Sequence, residues 1–299
     1  MGQIFFDVIL PVALVAILGG LVGHWRRVPV EPVSALVFYL FTPALIFHSM
    51  ATTTLTAALS LRIVGVMVIT FLAMYLTASL WSRAVRHEAS WRAGFALAAV
   101  TPNWGNLGIP VARLAFGATG FDVAVVSFVV GALLAQTGSV AIASLARAPG
   151  TGALLQPLRY PAPYAAAAGI VVNALGISLP AVIETPVKTL SEAAIPVMLV
   201  VLGLQLRHAV GLSQVRDTAV VSLGRLLIAP IVAWATATAI GLGGVERATL
   251  TLLAAMPTAV VATIIAQQLG AQPGFVTRVV VTTSVLSMVT LTALITLLR

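Results

Sequence analysis

Apolar runs of about 17 to 26 residues follow one another along almost the whole chain, with short connections between them. A helix needs about 20 mostly apolar residues to cross the hydrocarbon core of a bilayer. Ten such runs begin near Ile4, Pro32, Arg62, Trp91, Phe121, Ala162, Pro186, Thr218, Ala248 and Gly274. Of the 299 residues, 60% are hydrophobic and only 8% are charged, with a mean hydropathy of +1.09. Soluble domains carry about a quarter charged residues, so this composition belongs in lipid. Strand-like alternation is absent, and a backbone in lipid must satisfy its own polar groups. The expected fold class is therefore an all-α membrane protein of ten transmembrane helices, with nothing left over for a soluble domain. The first run lacks a basic leader and is followed by "GHWRRV", which reads as a retained span and not a cleaved signal peptide.

The net charge of +8 would point to nucleic acid in a soluble protein. Here the basic residues are few and lie mostly between apolar runs, which fits membrane orientation and no nucleic-acid partner. Ten of them (Arg26, Arg27, Arg83, Arg86, Arg92, Arg147, Arg159, Arg207, Arg216 and Arg278) fall on one side of a ten-span topology. Four (Arg62, Lys188, Arg247 and Arg299) fall on the other. The positive side should be cytoplasmic, which puts both termini outside. Cysteine is absent, and the four histidines lie at different span ends, so no metal site is expected. No nucleophile motif or nucleotide loop occurs either, so neither an enzyme nor a cofactor is expected. Abundant Ala, Val and Arg with short loops suggest a bacterial inner membrane.

The halves echo each other. Pro43 in "FTPALIF" and Pro196 in "AIPVMLV" are 153 residues apart, and Pro102 in "VTPNW" and Pro257 in "AMPTA" are 155 apart. "FG" at 116–117 recurs as "LG" at 269–270. With five spans per half, the second copy must insert upside down, the inverted-repeat plan of secondary transporters. The expected divisions are 1–147 for the first repeat, 148–161 for a connecting loop and 162–299 for the second repeat.

The densest break is "TPNWGNLGIP" at 101–110. Pro102, Gly105, Gly108 and Pro110 should unwind the fourth span near its middle. Freed backbone groups are tolerable only in a protein interior or a wet cavity. Unwound backbone and half-helix ends are ready ligands, N–H groups for anions and carbonyls for cations. Asn103 and Asn106 add neutral donors and acceptors. The repeat mate, 252–270, breaks at Pro257 and brings Thr258, Thr263, Gln267 and Gln268. The alternative is that Pro102 and Pro257 only kink two packed helices.

"PNWGNLGIPVARLAFG" resembles the asparagine-and-glycine crossover segment of the auxin efflux carrier family, which includes bacterial carriers of small organic acids. "YLFTPALIF", "AAIPVMLVVLGLQL" and "MPTAVVATIIAQQLGAQPGFVTRVVVTTSVLSMVTL" agree, and the resemblance covers nearly the whole chain. It implies a ten-helix inverted repeat whose spans four and nine cross at their prolines. It also implies an elevator-like exchange past a scaffold of spans one, two, six and seven. The loop between spans five and six is short here, which argues against plant-style regulation through it.

Arg113 lies about two turns after Asn106 and either draws an anion to the crossover or snorkels to the surface. Arg225 sits deep in its span without a nameable acidic partner. Asp7, Asp122 and Glu192 are candidates for proton coupling, although Asp7 and Asp122 also suit the first turns of their spans. No Asp or Glu follows Arg247. The related bile acid–sodium symporters place an acidic sodium ligand there, so that site is disfavoured, though one built from carbonyls is not excluded.

The resulting expectation is a secondary active or potential-driven carrier of small organic anions. The substrate would be held by Asn103, Gly105 and Asn106 with Thr258 and Gln267 opposite, and Pro102, Pro110 and Pro257 would shape the crossover. A coupling proton or sodium, and a homodimer, are left open. The alternatives are a sodium-coupled organic anion symporter or a non-transporting membrane sensor of the same fold.

Overall fold

The computed structural model describes residues 1–144, 161–206 and 214–299. Within them, seven helices are long and apolar enough to cross a membrane. They are α1 (Gly2–Arg26), α2 (Val30–Thr52), α3 (Ala57–Ala84), the Trp104–Ala132 part of α5 (104–144), the Ala181–Gln205 part of α7 (Ala181–Leu206), α8 (Val215–Ala239) and α11 (Pro273–Leu298). Four shorter helices complete the order: α4 (Ala89–Val100), α6 (Pro161–Ala174), α9 (Gly244–Ala254) and α10 (Val261–Leu269). Six of the ten expected runs thus coincide with single helices of spanning length, and the seventh helix, Trp104–Ala132, joins the end of the fourth run to the fifth across Gly117. The expected fourth and ninth runs are interrupted, α4 by 101–103 and α9 by 255–260. Most of the expected connection at 148–161 lies outside the described residues.

Prolines shape the long helices in a consistent way. Residues 10, 42, 109 and 229 each donate back five residues instead of four, to the carbonyls of Phe5, Val37, Trp104 and Gly224. Each of these donors immediately precedes a proline: Pro11, Pro43, Pro110 and Pro230. A proline ring clashes with the carbonyl four residues back and cannot bond to it, and one wide π turn removes both problems while the helix continues. Pro110 therefore sits inside the first turns of α5 and does not break it. The sharp break in α5 is instead at Gly117, whose φ of 67° and ψ of −149° suit glycine alone.

The packing sorts the helices into two sets. In one, α1 lies along α7, and α2 packs on α6 and α7. In the other, α3 packs on α4, α5 and α8, α9 packs on α8 and α5, and α11 packs on α10 and α4. The α1–α7 contact is backbone on backbone. A Cβ on Gly19 would come within 2.6 Å of the Val200 carbonyl oxygen, and one on Gly203 within 1.7 Å of the Ala16 oxygen. Lipid supplies no hydrophobic drive for helix pairing, so such close approach maximises dispersion contact. In the second set, His87 Nε2 meets Asp217 Oδ2 at 3.2 Å and Trp81 Nε1–H donates to Asp217 Oδ1 at 3.1 Å, tying the α3–α4 hairpin to α8.

Replacing Gly203 by Val should push α7 off α1 and lower stability by about 2 kcal/mol or more. Thermal unfolding of purified protein in detergent checks this, with Gly243→Ala, where no atom crowds the added Cβ, as the control.

Candidate functional site

The two interrupted helices meet where they are broken. Thr101 and Asn103 leave helical geometry, with ψ of 80° and 66°, and Pro102 between them has no N–H. The segment after α9 passes Pro257 before α10 begins. These two stretches run antiparallel and form a single bridge at Pro102 and Thr258. The Asn103 N–H donates to the Pro257 carbonyl at 2.8 Å, and the Ala259 N–H donates to the Thr101 carbonyl at 2.8 Å. Each break thus satisfies part of the other in an interior where unpaired groups are costly.

The C-terminal ends of α4 and α9 converge on Arg225. Its Nη1 donates to Ala99 O at 3.0 Å, and its Nη2 donates to Ala254 O at 2.8 Å and Met256 O at 3.2 Å. Arg225 is only 2% exposed and is among the largest fully buried side chains. A helix C-terminus carries roughly half a negative charge, so one guanidinium balances two such ends without a carboxylate. Trp104 Nε1–H donates to Leu253 O at 3.1 Å, and the Thr258 hydroxyl donates to Ala98 O at 2.8 Å. The carbonyl side of the crossover is thereby closed by side chains.

The opposite ends remain open. The N–H groups of Gly105 and Asn106, entering α5, and of Val260 and Val261, entering α10, donate no hydrogen bond among the described residues. All four residues line a cavity of about 150 Å³ between the two helix sets. α2 contributes Ser34, Phe38 and Thr42, and α7 contributes Met198 and Gln205. Ser34 Oγ, Thr101 Oγ1 and Gln205 Oε1 are buried there without hydrogen-bond partners. Among the described residues the lining contains no ionisable side chain, so the fixed charge they present comes from the positive ends of α5 and α10.

The residues named from sequence divide accordingly. Pro102, Asn103, Gly105 and Asn106 line this cavity, and Pro257 supplies the carbonyl that Asn103 holds. Thr258 is fully buried behind the crossover, its N–H bonded to Thr283 Oγ1 at 3.1 Å. Gln267 is exposed towards the far end of α10 and does not line the cavity. Arg113 is exposed, with its guanidinium 5.1 Å from the Phe121 ring centre, and Glu192 is exposed on α7. Asp122 is half-buried after the Gly117 break, away from the cavity. Sequence reasoning sought an acid for Arg225, whereas its partners are carbonyls. The available signal was a lone arginine within an apolar run in a chain with two helix breaks. Ser34 and Gln205 carried no such signal, because only packing brings α2 and α7 to the crossover.

Arg225→Met should leave three buried carbonyls without donors and destabilise the protein by at least about 3 kcal/mol, with Arg225→Lys intermediate. Thermal melts of the three proteins in detergent give the order, and equal melting of wild type and Arg225→Met would refute the capping role.

The family model described as "Membrane transport protein" matches residues 4–151 and 145–295. A protein described as an uncharacterized transporter, from Methanothermobacter thermautotrophicus, is 27% identical over 289 residues, covering 95% of each chain. With the match extending over nearly its full length, the chain belongs to the membrane transport proteins of the auxin efflux carrier family.

Proposed function

We propose that this transporter carries small organic anions, carboxylates above all, by alternating access. The observation that carries the reading is the polarity of the four helix ends at the crossover. Arg225 covers the two negative ends, and the two positive ends open on a cavity free of ionisable side chains. Two helix N-termini amount to roughly one positive charge, which suits one carboxylate. Asn103 and Asn106 would orient it, and the unbonded N–H groups of Gly105, Asn106, Val260 and Val261 would donate to its oxygens. Thr258 serves as a pin behind the site, and Gln267 has no direct contact in this arrangement.

In this reading, α4 with residues 104–116 forms one interrupted span, and α9 with α10 forms its inverted counterpart. Each ends on a glycine of positive φ, Gly117 at 67° and Gly270 at 64°. Counting these, the 118–144 stretch of α5 and α6 as spans makes ten, in two five-helix repeats. The cavity lies between the helix sets, so movement of the crossover set past α1, α2, α6 and α7 would carry the site across the membrane. The concentration of arginine at one end supports an inner-membrane orientation with both termini outside. Because no acid lines the cavity, the membrane potential is the simplest drive, about 2.3 kcal/mol per charge per 100 mV for anion export.

The test is uptake of labelled carboxylates into proteoliposomes with potential and pH gradients imposed separately. Flux that follows potential alone is expected. Asn103→Ala with Asn106→Ala should raise KM by about tenfold or more, since each amide would donate a charge-assisted bond. Unchanged kinetics in that variant would remove the asparagines from the site. Absence of flux for every carboxylate under every gradient would overturn the anion reading.

A further inference from the structure

A second cavity, of about 160 Å³, opens between α3 and α4 near the end of their hairpin. Tyr75, Ser79 and Arg83 line it from α3, at the four-residue spacing of one helical face. Arg92, Ala93 and Ala96 line it from α4, where the small side chains leave the space. Beside the α3 face runs a second stripe, Leu72, Leu76 and Leu80, which is 55%, 58% and 56% exposed. Exposure of that degree on a membrane-crossing helix means contact with acyl chains.

Arg83 and Arg92 have no carboxylate partner among the described residues. The one aspartate near this end, Asp217, is engaged by His87 and Trp81. Glu88 precedes α4 but does not line the cavity. Among the described residues the hydroxyls of Tyr75 and Ser79 have no protein hydrogen-bond partner, and the first turn of α4 adds its positive end at Ala89. Two guanidiniums, two hydroxyls and a helix start therefore border one cavity beside an exposed leucine stripe.

We propose that this cavity binds the phosphate headgroup of an anionic phospholipid, with an acyl chain lying along Leu72, Leu76 and Leu80. The paired guanidiniums favour a net negative headgroup and oppose the ammonium of a zwitterionic one. The adjoining leucine stripe favours a lipid over free phosphate. The site shares no lining residue with the crossover cavity, and its test does not depend on transport.

The experiment measures thermal melting of the purified protein in detergent with added phosphatidylglycerol, phosphatidylcholine or inorganic phosphate. Phosphatidylglycerol alone should raise the melting temperature of the wild type. Arg83→Gln with Arg92→Gln should weaken its apparent affinity by about tenfold or more. Ser79→Leu, which narrows the cavity but keeps both charges, should do the same and serves if the double variant does not fold. Arg62→Gln, at the other end of α3, should leave the response intact. A wild type that does not distinguish the two lipids would overturn the proposal, as would a response that survives both Arg83→Gln/Arg92→Gln and Ser79→Leu. An equal response to inorganic phosphate would also overturn it, by making the ligand a soluble anion.

Discussion

Backbone groups released by a helix break have no water to bond to inside a membrane protein, and the architecture of this transporter follows from how those groups are paired. Breaking two helices at the same depth lets each supply what the other lacks, through the two reciprocal bonds around Pro102 and Thr258. That bridge leaves a surplus of carbonyls at the ends of α4 and α9. A single buried arginine resolves it, because a guanidinium presents several donors in a fixed fork. Remove either break, and the bridge and the Arg225 site both lose their purpose.

The same arrangement creates a directional field. The negative helix ends are covered by Arg225, while the positive ends are unbonded and face a cavity whose described lining residues are neutral, so the helix dipoles there favour negative charge. Binding through dipoles and amides avoids burying a permanent charge in the pathway, which would have to be desolvated again whenever the site was empty. This is the physical reasoning behind the proposal of an anion over a cation there.

Proline plays two distinct parts at six positions of this chain. At 11, 43, 110 and 230 it is absorbed by a π turn and the helix continues, while at 102 and 257 it lies in the unwound crossover. The proline itself does not set the outcome. At 110 a widened turn moves the clashing carbonyl away, and at 102 the neighbouring strand offers partners for the backbone on either side. Glycine similarly divides between close packing at Gly203 and left-handed backbone at Gly117 and Gly270.

The long apolar runs, the near absence of charge and the breaks near Pro102 and Pro257 were legible in the sequence, because lipid imposes length and hydropathy residue by residue, whereas Gly105, Gly108 and Pro110, expected to extend the first break, lie in continuous helix. The same local chemistry made Asn103, Gly105 and Asn106 readable as candidates, since a proline- and glycine-rich stretch exposes backbone wherever it is placed. Tertiary structure decided what lies opposite them. It placed Thr258 behind the crossover, left Gln267 outside the cavity, and brought Ser34 and Gln205 in from helices distant in sequence. It also gave Arg225 carbonyl partners in place of the acid that pattern alone suggested. Local pattern records where a helix must fail; only packing decides which groups from elsewhere in the chain reach the gap.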